Sequence, residues 1–157
     1  MTKTSLAILA VGVLTLAAAV PAQAQLGPYS FYSLAPCRVI DTRGPAGPTG
    51  APALAANATR SFTVLGTCGL PTTAKAVTFN ITIVSPTDFG NLRAYPFGVA
   101  EPNASVINWV TTDFAVANGA IVPVTGPAGN NITVKCDMPV GSTGTVQLVV
   151  DVTGYFQ

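Results

Sequence analysis

Apolar and polar residues alternate over three stretches of the chain. Val77, Phe79, Ile81 and Ile83 interleave with Thr78, Asn80 and Thr82. Ile132, Val134 and Cys136 oppose Asn131, Thr133 and Lys135, and Val146, Leu148, Val150 and Val152 oppose Gln147, Asp151 and Thr153. A period of two sends successive side chains to opposite faces, so each stretch predicts a strand with one buried face. Less regular candidates are residues 37–43, 59–66, 91–97, 105–110 and 120–125. Between them lie glycine, proline and asparagine breakers such as Gly69-Leu70-Pro71, Ser85-Pro86 and Asn118-Gly119. Eight or nine short strands at this spacing predict an all-β fold, a two-sheet antiparallel sandwich of jelly-roll or immunoglobulin-like kind. Residues 113–118 are the one place where a short helix is expected.

The N-terminus has a different pattern. Lys3 precedes an apolar run from Leu6 to Val20, Pro21 breaks it, and Ala22-Gln23-Ala24 has the small-x-small form of a cleavage site. This predicts a secretory signal peptide over residues 1–24 and a single sandwich domain over 25–157, secreted to the extracellular space or periplasm. The run is shorter than the roughly 20 residues of a membrane span. Residue 25 is glutamine, so no lipid-anchor cysteine follows the cleavage site and no membrane anchor is expected.

With Lys3 removed, basic and acidic residues balance. Their scatter gives no basic patch for nucleic acid or anionic membrane, and a nearly neutral surface permits self-association. Histidine is absent, which removes the usual general base and the Ser-His-Asp and Cys-His arrangements. No two of the carboxylates stand out by spacing as a glycosidase pair, and no Asp-x-Asp cluster suggests calcium. Catalytic residues, metal and cofactor are therefore all expected to be absent.

The three cysteines, Cys37, Cys68 and Cys136, permit three pairings. Cys136 lies on the apolar face of its strand, where a thiol packs as a small hydrophobe. Cys37 and Cys68 flank strand ends, which favours a Cys37–Cys68 bridge in an oxidising compartment. Gly44-Pro45-Ala46, Gly47-Pro48-Thr49 and Gly50-Ala51-Pro52 make three collagen-like triplets, too few for a triple helix, and predict an extended polyproline-like surface loop. Four Asn-x-Ser/Thr sequons, at Asn57, Asn80, Asn103 and Asn131, are read as chance in an asparagine- and threonine-rich chain. Asp88-Phe89-Gly90 is read as a hairpin turn. The binding candidates are Arg93, Tyr95 and Trp109. On a strand over 91–97, Asn91, Arg93, Tyr95 and Phe97 share a face, with Trp109 on the neighbouring strand. Rings beside amide and guanidinium donors suit a sugar; the competing reading makes Trp109 and Phe97 ordinary core residues.

Several segments carry a resemblance: Ala35-Pro36-Cys37-Arg38-Val39-Ile40-Asp41-Thr42-Arg43, Cys68-Gly69-Leu70-Pro71, the strand from Ala76 to Ile83, Gly90-Asn91-Leu92-Arg93-Ala94-Tyr95-Pro96, and Asp151-Val152-Thr153-Gly154-Tyr155-Phe156. Together they resemble a family of secreted bacterial all-β modules, often appended to larger extracellular or cell-wall-associated proteins and without an established catalytic role. In members with the Pro-Cys-Arg start a Cys-Gly-x-Pro segment accompanies it, which implies the Cys37–Cys68 pairing. Here the domain is expected to stand alone behind its leader. Asp41 and Arg43 share a face of one strand and Asp151 lies on the polar face of the last, which predicts a structural carboxylate–guanidinium pair at a sheet edge. The expected function is a non-catalytic surface module that binds glycan or cell-wall material or adheres to a partner. The alternative is a self-assembling subunit of an extracellular fibre or coat, with residues 25–33 adding to a neighbour's sheet edge.

Overall fold

The computed structural model describes residues 27–127 and 129–157; the expected signal peptide and its cleavage site lie outside the described residues. Nine strands follow one another: β1 Phe31–Asp41, β2 Leu54–Ala55, β3 Thr59–Phe62, β4 Ala76–Val84, β5 Gly90–Pro96, β6 Ile107–Trp109, β7 Ala115–Pro123, β8 Ile132–Asp137 and β9 Thr145–Phe156. No helix occurs among the described residues. One sheet has the order β1-β9-β4-β7, with β2 also on β9, and the other has the order β3-β8-β5-β6. All named pairings are antiparallel.

The pairs β1·β9, β3·β8, β4·β7 and β5·β6 are nested, as in one long hairpin whose arms are the two halves of the chain. Rolling that hairpin up adds β9·β4 and β8·β5. This is jelly-roll topology, which decides between the two sandwich types expected from the sequence.

The alternating segments are the inner strands. Along β4, Val77, Phe79, Ile81 and Ile83 are buried while Thr78, Asn80 and Thr82 are half-buried on the outer face. Leu148, Val150 and Val152 of β9 meet Leu92 of β5, Phe62 of β3 and Ile132, Val134 and Cys136 of β8 in one core between the sheets. Each such side chain contributes about 1.5–3 kcal/mol on burial. Buried Asn131 satisfies the backbone where the core meets the loops: its Oδ1 accepts from Val64 and Leu65 N–H, both at 2.9 Å, and its Nδ2 donates to Thr125 O at 2.8 Å.

Several local expectations are corrected. Residues 115–118 belong to β7, not to a helix, because nine consecutive pairs with β4 override the helical preference of an alanine-rich segment. The Asp88-Phe89-Gly90 segment is not a hairpin turn; it connects β4 to β5 and so crosses from one sheet to the other. Of residues 25–33, the last three belong to β1, where Phe31, Tyr32 and Ser33 pair with Phe156, Tyr155 and Gly154. The glycine-proline loop is folded rather than extended. Ala46 bridges Ala51, Ala51 N–H donates to Pro45 O, and Asp41 N–H donates to Thr49 O, which lays the loop against β1. Arg60 fixes it from the other side, donating to the carbonyls of Pro52 at 2.8 Å, Gly47 at 2.9 Å and Pro48 at 3.3 Å while lying over the Phe62 ring.

Candidate functional site

On β5, Asn91, Arg93 and Tyr95 point away from the core, opposite Asp137, Lys135 and Thr133 of β8. Arg93 is pinned between two acids. Its Nη1 donates to Glu101 Oε1 at 2.7 Å and to Pro102 O at 3.3 Å, and its Nε lies 2.9 Å from Asp137 Oδ2. Tyr95 is only 7% exposed although it is on the outer face. Burial pushes its phenol pKa up, helped by the Glu101 and Asp137 charges and opposed by Arg93. Its ring therefore offers no open stacking surface.

Trp109 is 4% exposed and lies on the core side with Ile107 and Leu92. Its indole N–H donates to the Asp88 carbonyl at 2.9 Å, the partner a buried indole needs. The sequence grouping of Arg93, Tyr95 and Trp109 is thus divided between two faces of the sheet, and Trp109 is a core residue. Phe97 lies beyond the end of β5 and is partly exposed.

An aromatic face is available one residue before β5. Phe89 is 57% exposed and borders a cavity of about 330 Å³ that Gly90, Asn91, Asp137, Met138 and Pro139 also line. Asp88 holds this corner. Its Oδ1 accepts from Phe89 N–H at 2.9 Å, its Oδ2 from the Ser142 hydroxyl at 2.8 Å, and its carbonyl from Trp109. Gly90 is needed at the turn into β5, because a Cβ there would collide with the Asp137 carbonyl and press on the Trp109 ring. Among the described residues, two oxygens lack a hydrogen-bond partner, Asn91 Oδ1 and Asp137 Oδ2, and both are buried out of reach of solvent beneath this corner. The Arg93 Nε beside Asp137 makes an ionic contact without hydrogen-bond alignment. The signal for this corner is the Phe89-Gly90-Asn91 run at a strand start, a pattern the turn reading conceals.

A second polar cluster joins the chain's first and last strands. Arg43 grips Asp41 through Nε to Oδ1 at 2.8 Å and Nη2 to Oδ2 at 2.7 Å. Arg38, which the sequence reading leaves out, binds Asp151 through Nε to Oδ1 at 2.9 Å and Nη2 to Oδ2 at 3.2 Å, and reaches Asp41 at 3.2 Å. The Arg43 side chain, with help from Arg43 N–H and Arg38, pulls the Asp41 carboxyl down to about 2 against a smaller opposing effect of burial. An acid so held is ionised at neutral pH and already paired, so it has no proton to give.

Cys37 and Cys68 form a disulfide, with Cα atoms 5.8 Å apart. Such a bond fits an oxidising compartment. Cys136 is buried and free, and burial with the neighbouring Asp137 charge pushes its thiol pKa up to about 11. No group of three or more metal-ligating residues occurs among the described residues. No family model matches the chain, and neither a curated protein nor a solved structure matches it.

Proposed function

We propose that this chain is a non-catalytic, secreted jelly-roll module that binds carbohydrate of an extracellular or cell-wall matrix by surface contact. The observation that carries this reading is the corner at the start of β5. There an exposed ring, on a backbone held through Asp88, borders a cavity that Asn91 and Asp137 also line. A sugar presents an apolar C–H face to an aromatic ring and hydroxyl donors around its rim. Phe89 supplies the stacking face. Asn91 and Asp137 line the cavity beside that ring and bring an amide and a carboxylate to the hydroxyl rim. Arg93 holds Asp137 in position. The cavity is at the small end of the range for ligand sites, which suits one or two sugar rings of a longer polymer.

The test is a glycan array followed by titration of the best polysaccharide. The Phe89→Ala variant is expected to bind about tenfold more weakly, close to 1.4 kcal/mol, with an unchanged melting temperature because the ring is largely exposed. Asn91→Ala is expected to weaken binding further. Equal binding by the parent chain and Phe89→Ala, or no binding by the parent to any glycan, would remove this reading.

A further inference from the structure

Natural sheets protect their open edges with charges, prolines, bulges or covering loops, because an unprotected edge recruits another strand. Three of the four edges here are protected. β1 carries Pro36 and Arg38, has two register shifts against β9, and is covered by the loop bonded at Asp41. β3 has four residues, one of them Arg60, and β6 has three. β7 is the exception. It runs for nine residues, pairs with β4 without a register shift, and contains no charged residue from Ala115 to Pro123. Among the described residues only β4 pairs with it, and its other edge presents backbone groups unpaired by any described strand.

We infer that this edge is an interface to a second copy of the chain, in which β7 pairs antiparallel with its counterpart about a two-fold axis at Gly119. The axis stands perpendicular to the sheet, so both outer faces stay on one side, as an isologous contact requires. Residues whose numbers are symmetric about 119 then face each other. Ala117 sits opposite the partner's Ile121 and Ala115 opposite the partner's Pro123, a small side chain against a large one in each case. Ile121 is 62% exposed in the single chain, and this register covers it twice, once in each copy. A Cβ at Gly119 would meet nothing within 4 Å, so the outer face of the sheet at the axis has room for a side chain. No like charges are brought together, because the strand has none. Since β1 at the far side of the sheet is bulged and covered, growth stops at two copies, giving one continuous sheet across the pair and no fibre.

The inference is independent of the carbohydrate reading, and its experiment uses the oligomeric state alone. Light scattering during size exclusion is expected to give a dimer whose fraction rises with concentration. Ile121→Lys, at an exposed position, is expected to keep the parent's melting temperature and lower the dimer fraction at least tenfold. Gly119→Cys is expected to cross-link to itself on mild oxidation, because directly opposed strand residues have Cα atoms about 4.5–5.5 Å apart. Asn80→Cys, one strand further from the axis in each copy, is expected to stay uncross-linked. A strictly monomeric parent at millimolar concentration, an Ile121→Lys chain as dimeric as the parent, or equal cross-linking of the two cysteine variants would each overturn it.

Discussion

Arg38 and Asp151 are separated by 113 residues in sequence yet face each other across β1 and β9, joined by two hydrogen bonds of 2.9 and 3.2 Å. The two-point contact fixes the register of an edge strand whose own bulges leave it loosely specified. With Arg38 about half exposed, the energetic contribution is that of a surface pair with good geometry, about 1 kcal/mol. Arg38→Ala should therefore lower the unfolding free energy by about 1 kcal/mol, or about 2–4 °C in Tm for a chain of this size. A double-mutant cycle with Asp151→Asn, read by urea denaturation, should return a coupling above about 0.5 kcal/mol.

Asp41 sets an acid limit on stability. Its pKa is about 2 in the fold against an ordinary 3.8, so the unfolded chain takes up a proton at a higher pH than the folded one. Its contribution is complete above about pH 5 and is lost progressively as the pH falls from about 5 to 1. Melting curves across that window should show Tm falling with pH, and Asp41→Asn should flatten that part of the profile while lowering stability at pH 7.

Gly154 is required by an aromatic neighbour. A Cβ there would stand 2.6 Å from two carbons of the Phe31 ring and 2.7 Å from Tyr32 O. Phe31 packs against Phe156 and Tyr32 stacks on Tyr155, so the ring cannot move without loosening the start of β1. Gly154→Ala should cost about 1–3 kcal/mol by overpacking. Adding Phe31→Ala should restore only part of it, because the Tyr32 carbonyl remains in the way.

The cysteines should separate by reactivity. In the folded, oxidised chain no thiol should react with a thiol reagent near pH 8, since Cys136 is buried and its proton is held up to about pH 11. One should react after unfolding without reductant. Replacing both Cys37 and Cys68 by alanine should lower stability by about 3–4 kcal/mol in the chain-entropy account of a loop this long.

How far the fold was legible depended on where a strand sits. β4 and β9 lie inside a sheet with one face on the core, so their alternation is clear, broken in β9 only by Val149, and the two-sheet class follows from them. β7 is an edge whose core-side positions, Val116, Asn118, Ala120 and Val122, are mixed in polarity and fully buried only at Val122, which leaves no clean period. In β1 the register shift between Arg38 and Ile40 brings Arg38 and Asp41 to the same carboxylate network despite their odd spacing, so a strict period of two cannot find Arg38. At the candidate site, periodicity placed Arg93 and Tyr95 on one face of a strand. It could not show that Tyr95 is covered, that Trp109 faces the other way, or that a loop residue, Phe89, supplies the open ring.

The nested order of the strands also bears on when this molecule can fold. The first strand finds its partner only in the last, and the sheet's central strand β4 waits for both β7 and β9. Nearly every stabilising pair therefore spans a long stretch of chain, a topology that folds slowly because loop closure comes before any compensating contact. A ribosome must release residues up to Phe156 before β1 can be zipped in. Until then β1 is without its partner, although the whole second sheet and the β4·β7 pair, all complete by Asp137, can already form.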